Sequence, residues 1–323
     1  MADLIVVTNQ VPKEHFPDLY PGPNRWVFAP HANALMTREQ VLASVAEARA
    51  IINQGELRVD DTLLDAAPHV QIIANVAIGT DNFDLNAMTA RGVWATNAPD
   101  AFTESTADIT MALLLGVTRR IAESDHYLRT GAWQADGMRP ALWEGPLLSG
   151  RTLGIVGYGK IGKAVARRAS AFGMRVLYTR SHPDDGEGYR ALEDLLKESD
   201  MVSLHTPLTE TTRHLIDEAM LRIMKPGSYL INLARGAVVD ESALVAALQS
   251  GHLAGAGLDV FENEPIIHSG LLTLPNVVLT PHLGGAATQA RMAARAVAAE
   301  NVARVLHKRE HPLTPVNKIS PWP

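Results

Sequence analysis

The chain has 323 residues, 46% of them hydrophobic and 20% charged, a soluble globular balance that suits two domains better than one core. A net charge of -6 without a basic run argues against nucleic acid or an anionic membrane surface as the main partner. Zero cysteines exclude thiol nucleophiles, disulfides and thiolate metal sites, and fit a reducing compartment.

In chain order, Met1 to Gln10 lacks the basic flank and cleavage pattern of a secretory signal, and no apolar run approaches the ~18 residues of a membrane span, so a cytoplasmic protein is expected. Short β-branched runs then alternate with helical segments. This predicts an α/β fold of two doubly wound, Rossmann-like parallel sheets, and two domains imply a cleft. Strands are expected at Leu4 to Val7, Ala50 to Ile52, Ile72 to Val76 and Val93 to Ala95. Residues 99–130 hold apolar positions at helical spacing and are read as a long bridge between domains. A loop with Pro140, Gly145, Pro146 and Gly150 follows, then a strand from Thr152 to Val156 and a helix through Phe172. Further strands are expected at Arg175 to Tyr178, Met201 to Leu204, Ser228 to Asn232, Ala254 to Leu258 and Val277 to Leu279. The last long helix, Thr288 to His307, could pack back on the first domain.

Gly157, Gly159 and Gly162 spell G-x-G-x-x-G between an apolar strand and a helix. The first glycine permits a tight turn, the second close approach to a pyrophosphate, and the third close helix packing, while the helix N-terminus attracts negative charge. GYGKIGK also fits the first seven positions of a mononucleotide loop, but the eighth is Ala164, which has no hydroxyl for magnesium. An NAD site places a carboxylate about 20 residues beyond the first glycine. This chain has Thr179, Arg180 and Ser181 there, and its next carboxylate is Asp184, beyond Pro183. Arg180 offers a fork of donors for the 2′-phosphate of NADP, with Thr179 and Ser181 adding hydroxyls; the ordinary alternative is an exposed arginine at a strand end.

Arg235, Glu264 and His282 stand near the ends of later strands, where open α/β sheets form their ligand crevice. A guanidinium can clamp a carboxylate and polarise a ketone. An imidazole can pass the proton that accompanies hydride transfer, and a carboxylate can orient it and raise its pKa. Singly, they also suit a sheet-end ion pair, a solvated carboxylate and a helix cap. The 12 histidines include no H-E-x-x-H pair for zinc, and there is no G-x-S-x-G nucleophile elbow.

The segments LGIVGYGKIG, HTPLTETTRHLI, NLARGAVVDE, AGLDVFENEP and VVLTPHLGG, in that order, resemble the D-2-hydroxyacid dehydrogenase family, and NVAIGTDNFD and PDAFTESTADITMALLL extend the resemblance. It implies a substrate-binding domain of residues 1–99 plus 286–323 and a dinucleotide-binding domain of residues 100–285. It also implies His282 as acid/base, Glu264 as its partner and Arg235 as carboxylate ligand. Val76, Ala77, Ile78 and Gly79 would hold the carboxylate from the other side of the cleft. Cofactor contacts are implied for Thr106, Tyr158, Lys160, Ile161, Pro207, Thr212, Leu233, Ala234 and Gly284, with Asp259 on the nicotinamide carboxamide.

Within the family, the residues around Arg180, the PDAFTESTAD helix start, Trp133 and Trp143 look like glyoxylate/hydroxypyruvate reductases, while 2-ketogluconate reductases are similar in the same places. NADP(H) is the expected cofactor, with NAD(H) an alternative. A homodimer through Thr103 to Arg129 is expected. Asn53 and Gln54 are assigned to a loop facing the cleft. Cofactor-sensing interaction proteins share this fold; the absence of a long disordered tail before Pro323 disfavours that role here.

Overall fold

The computed structural model describes residues 2–32 and 34–320. Expectations that touch Met1 and the segment ending at Pro323 lie outside them. The chain divides into two compact units, Met1–Phe102 with Gly285–Pro323, and Thr103–Gly284.

The first unit has five strands: β1 (Leu4–Val7), β2 (Arg25–Phe28), β3 (Ala48–Asn53), β4 (Ile72–Asn75) and β5 (Trp94–Thr96). They form a parallel sheet of order β2-β1-β3-β4-β5. Its central strands are apolar on both faces because both are covered: Ile5, Val7, Ile52 and Ile72 join one core, Val6, Ile51 and Ile73 the other. Helices Arg38–Ser44, Asp61–Ala66 and Leu85–Ala90 close the second face with Val41, Leu63 and Met88. Helix Thr288–Ala303 closes the first. Its Ala290, Ala294 and Ala298, one turn apart, share that core with the strands and are small enough for close approach of the helix backbone.

Strand β2 is absent from the sequence reading. Four residues after Pro21, Gly22 and Pro23 give too little period to read, and this edge strand stays partly exposed. Asn53 also departs from expectation. It is the buried last residue of β3 and not part of a loop.

The second unit holds β6 (Thr152–Val156), β7 (Arg175–Thr179), β8 (Met201–Leu204), β9 (Ser228–Asn232), β10 (Leu253–Leu258) and β11 (Val277–Leu279). All are parallel, in the order β11-β10-β9-β8-β6-β7, and Tyr189 adds one isolated bridge to Tyr178 of β7. Strand β6 thus has β7 on one side and β8 on the other. Connections leaving β6 and β8 diverge, and a crevice opens at their carboxyl ends.

Residues 99–130, expected to bridge the domains, do carry the chain from the first unit to the second at Phe102–Thr103, but not as one long helix. Helix Thr103–Thr118 is a core element of the second unit, with Ala107, Met111 and Leu114 packed in one cluster with Leu153, Ile155 and Val165. The helix ends near Arg120, which takes a left-handed conformation (φ 53°), and a separate helix, Ile121–Arg129, follows. No glycine or proline marks the break, so the apolar period conceals it.

Candidate active site and cofactor loop

The turn between β6 and helix Lys160–Ala171 shows what each glycine does. Gly157 has φ 97°, and a Cβ there would meet the His205 carbonyl at 2.6 Å; a Cβ on Gly162 would meet Gly157 O at 2.3 Å. Both are fixed by close approach of the chain to itself. Around Gly159 a Cβ would meet nothing within 4 Å. That open position, beside the first N–H groups of a helix, is a cradle suited to an anion, with Tyr158, Lys160 and Ile161 around it. Ala164 is fully buried, so its position offers no metal ligand.

At the end of β7 the structure corrects the reading of the ribose site. Asp184, beyond Pro183 in sequence, folds back: its Oδ1 accepts the Tyr178 hydroxyl at 2.6 Å, and its Oδ2 lies 3.3 Å from Arg180 Nη1. The Tyr178 bond first, then the Gly186 N–H, hold the Asp184 carboxyl below its usual range, and Asp184 in turn pushes Tyr178 up to about 12. A carboxylate therefore stands beside Arg180. Tyr178 stacks on Tyr158 at 3.8 Å. Thr179 is buried and its carbonyl accepts the Gly157 N–H; the Ser181 hydroxyl lies 3.0 Å from His182 Nδ1.

Arg235, Glu264 and His282 follow β9, β10 and β11. Gly236 is required after Arg235, since a Cβ there would come within 1.8 Å of the Phe261 carbonyl carbon. The Arg235 turn is thus pressed onto the segment leading to Glu264. Phe261 N–H donates to Glu264 Oε1 (3.0 Å), while Oε2 lies 2.9 Å from His282 Nδ1.

His282 has φ 54°, a region costly for a residue with a Cβ, and so it needs support. Asp259 gives it. Its Oδ1 accepts the Thr280 hydroxyl and the Leu283 N–H, both at 2.6 Å, its Oδ2 accepts the Gly284 N–H at 2.8 Å, and its carbonyl accepts the His282 N–H. Ser105 and Thr106 hydroxyls donate to Gly284 O from the first turn of helix Thr103–Thr118. Three of the roughly four acceptor positions on the buried Asp259 carboxylate are filled within the protein.

The bond to Glu264, then its charge, raises the His282 pKa against the opposing effects of burial and Arg235. Burial pushes Glu264 up, but the His282 bond and charge, the Phe261 N–H and Arg235 outweigh it and hold it low. The arrangement assigns the Nδ1 proton to the Glu264 bond. Nε2 makes no hydrogen bond among the described residues, and the His282 side chain is 52% exposed.

Leu233 and Ala234 bury their side chains, so only backbone there could meet a ligand. The Thr212 hydroxyl donates to Pro207 O at 2.7 Å and ties the loop after β8. Sequence reasoning missed Glu241. This buried carboxylate accepts the Glu262 N–H at 2.7 Å and fixes the segment that carries Glu264; its place in GAVVDE was the available signal. In the first unit, Val76–Gly79 follows β4, and Val76 N–H donates to Asn53 O. The N–H groups of Ala77, Ile78 and Gly79 make no hydrogen bond among the described residues.

Residues 111–284 match the family model described as D-isomer specific 2-hydroxyacid dehydrogenase, NAD binding domain. The chain is 46% identical over 289 residues to a glyoxylate reductase of Thermococcus kodakarensis, covering 87% of this chain and 86% of that protein. The chain belongs to the D-isomer specific 2-hydroxyacid dehydrogenase family. Among solved structures, the TT0316 protein of Thermus thermophilus superposes with a TM-score of 0.90 at 42% identity, over 97% of this chain and 99% of that one. An NADPH-dependent glyoxylate/hydroxypyruvate reductase of Sinorhizobium meliloti, in complex with NADP and malonate, gives 0.83 at 35% identity, over 98% and 97%. This family member is therefore an oxidoreductase, with an NAD(P)-binding domain in its second unit. No described helix is long and apolar enough to cross a membrane.

Proposed function

We propose that the protein reduces small 2-oxo acids, glyoxylate and hydroxypyruvate, to D-2-hydroxy acids with NADPH. The observation that carries this reading is the His282–Glu264 pair beside Arg235: an imidazole oriented through Nδ1, with Nε2 open, at the strand ends of a dinucleotide-binding unit. Bound NAD(P)H supplies a hydride to the carbonyl carbon. His282 gives the proton to the carbonyl oxygen, Glu264 stabilises the imidazolium before transfer and orients it throughout, and Arg235 binds the carboxylate. The first unit is assigned substrate binding through the backbone of Val76–Gly79, where the N–H groups of Ala77, Ile78 and Gly79 are not used within the protein.

The cradle at Gly159 fits the cofactor's pyrophosphate, and Arg180 with Ser181 fits a 2′-phosphate, although Asp184 draws on the same guanidinium. We keep NADPH as the preferred cofactor, a reading supported by the NADP in the Sinorhizobium structure. The test is loss of NADPH and NADH absorbance with glyoxylate, hydroxypyruvate, pyruvate and 2-ketogluconate. Turnover strongest with the first two and NADPH is expected, and no turnover with any acid would refute the assignment. A homodimer remains part of the proposal, with a changed basis. Helix Thr103–Thr118 buries its apolar face in its own unit, whereas Ile121, Leu128, Trp133, Met138 and Leu142 are exposed. A monomer by light scattering at micromolar concentration would remove it.

A further inference from the structure

From Ala77 to Gly79 the loop is built so that its carbonyls, and not its N–H groups, are tied down. Ala77 O accepts the Ala98 N–H at 2.9 Å, Ile78 O accepts Asn97 Nδ2 at 2.7 Å, and Gly79 O accepts Asn75 Nδ2 at 3.1 Å. In a trans peptide the carbonyl and the following N–H point in opposite directions. Anchoring these three oxygens therefore turns the N–H groups of Ile78, Gly79 and Thr80 away from the anchors.

The two side-chain anchors are themselves held. The Asn75 amide makes four bonds: Nδ2 also donates to Asn82 Oδ1 (2.8 Å), and Oδ1 accepts from Asn53 Nδ2 (2.8 Å) and, at 3.4 Å, from Asn82 Nδ2. A flipped Asn75 amide would set its oxygen against Gly79 O, so this network fixes which atom faces the loop. Asn82 is anchored in turn on Leu57 O at 2.8 Å, and Gly55 (φ 112°), where a Cβ would meet Ala77 Cβ at 2.8 Å, keeps the turn after β3 against the loop.

We propose that Asn97 and Asn75, the latter locked by Asn82 and Asn53, are positioning residues that aim the backbone N–H groups of the 78–80 segment at the substrate carboxylate. This rests on the function proposed above. Neutral amides perform the task without adding a negative charge that would repel the acid.

The test is steady-state kinetics of the full-length enzyme with glyoxylate, on Asn97→Ala and on Asn82→Ala, the latter at a partly exposed site. Each should raise the KM for glyoxylate by about tenfold or more, the worth of a hydrogen bond to a charged group. Each should leave the KM for NADPH unchanged and kcat little altered, and inhibition by oxalate should weaken in parallel. Asn97→His, whose ring N–H can replace the amide donor, should return KM most of the way. Variants that melt early yet keep the wild-type KM overturn the proposal and make the asparagines structural only. A kcat that falls while KM stays also overturns it. Should Asn97→Ala fail to fold, Asn82→Ala carries the test. If wild type reduces no 2-oxo acid, this inference falls with the functional reading; if wild type is active and every variant keeps its KM, only this inference falls.

Discussion

At the carboxyl end of β4 the first unit presents backbone N–H groups backed by four neutral asparagines, whereas the ends of β9, β10 and β11 present Arg235, Glu264 and His282. The first arrangement is buried at Asn53 and Asn75 and half-buried at Asn82 and Asn97, and charges buried there would have needed costly desolvation, so amides that satisfy one another are the inexpensive choice. The second keeps its charges at the edge of solvent, where a proton can be exchanged. Carboxylate recognition by the loop should consequently be insensitive to pH between the carboxylate and lysine ranges, while proton transfer should follow the His282–Glu264 pair.

The largest expected effect comes from removing the proton donor. His282→Ala should lower kcat by ~100- to 10,000-fold with NADPH binding retained, as read by fluorescence titration. A variant keeping half of wild-type turnover would end the contrast between a binding loop and a chemical triad. Next, Arg235→Lys replaces a bidentate fork with a point charge, and kcat/KM for glyoxylate should fall by roughly 10- to 150-fold, the worth of one or so charge-assisted bonds. An unchanged kcat/KM would leave carboxylate recognition to the first unit alone.

Glu264→Gln sharpens the comparison through pH. The His282 pKa is raised, chiefly by its Glu264 bond, so the protonated form needed for reduction persists above the ordinary imidazole range and is lost as pH rises through the raised value. Removing the carboxylate should move the alkaline limb of the reduction profile downward. The limb for Asn97→Ala should stay where it is in wild type. A limb unmoved in Glu264→Gln would detach Glu264 from the proton step.

The smallest effect concerns Asp184, whose solvent-screened pairing with Arg180 is of the weak surface kind. Asp184→Ala should free the guanidinium and raise the NADPH over NADH preference by a few fold at low salt, fading as salt is added. An unchanged ratio would make Arg180 an ordinary surface arginine.

These contrasts were unequally legible in the amino-acid order. The G-x-G-x-x-G turn is local, so three glycines at fixed spacing announce a strand, a cradle and a helix together. Most strands were readable from apolar runs, because both faces of each sheet are covered. What stayed hidden depends on partners far along the chain. Asn97 meets Ile78 O from a position 19 residues away, and Ser105 reaches Gly284 across 179. Asp184 was visible but misjudged, since the fold-back after Pro183 is a matter of turn geometry. Asp259 showed only the ligand role suggested by resemblance, because its grip on the His282 turn involves backbone N–H groups that no residue type advertises.

The alanine-lined helix Thr288–Ala303, which closes one face of the first sheet, has a consequence for synthesis. A ribosome delivers β1 to β5 first, then the whole of Thr103–Gly284, and only afterwards the helix. At ~5–20 residues per second, Ile5, Ile52 and Ile72 wait on the order of ten seconds or more without their cover. The inserted unit, being continuous, can complete its own core in that interval. The nascent chain thus matures from the middle outward, with an exposed apolar sheet face that invites chaperone binding until the last helix docks.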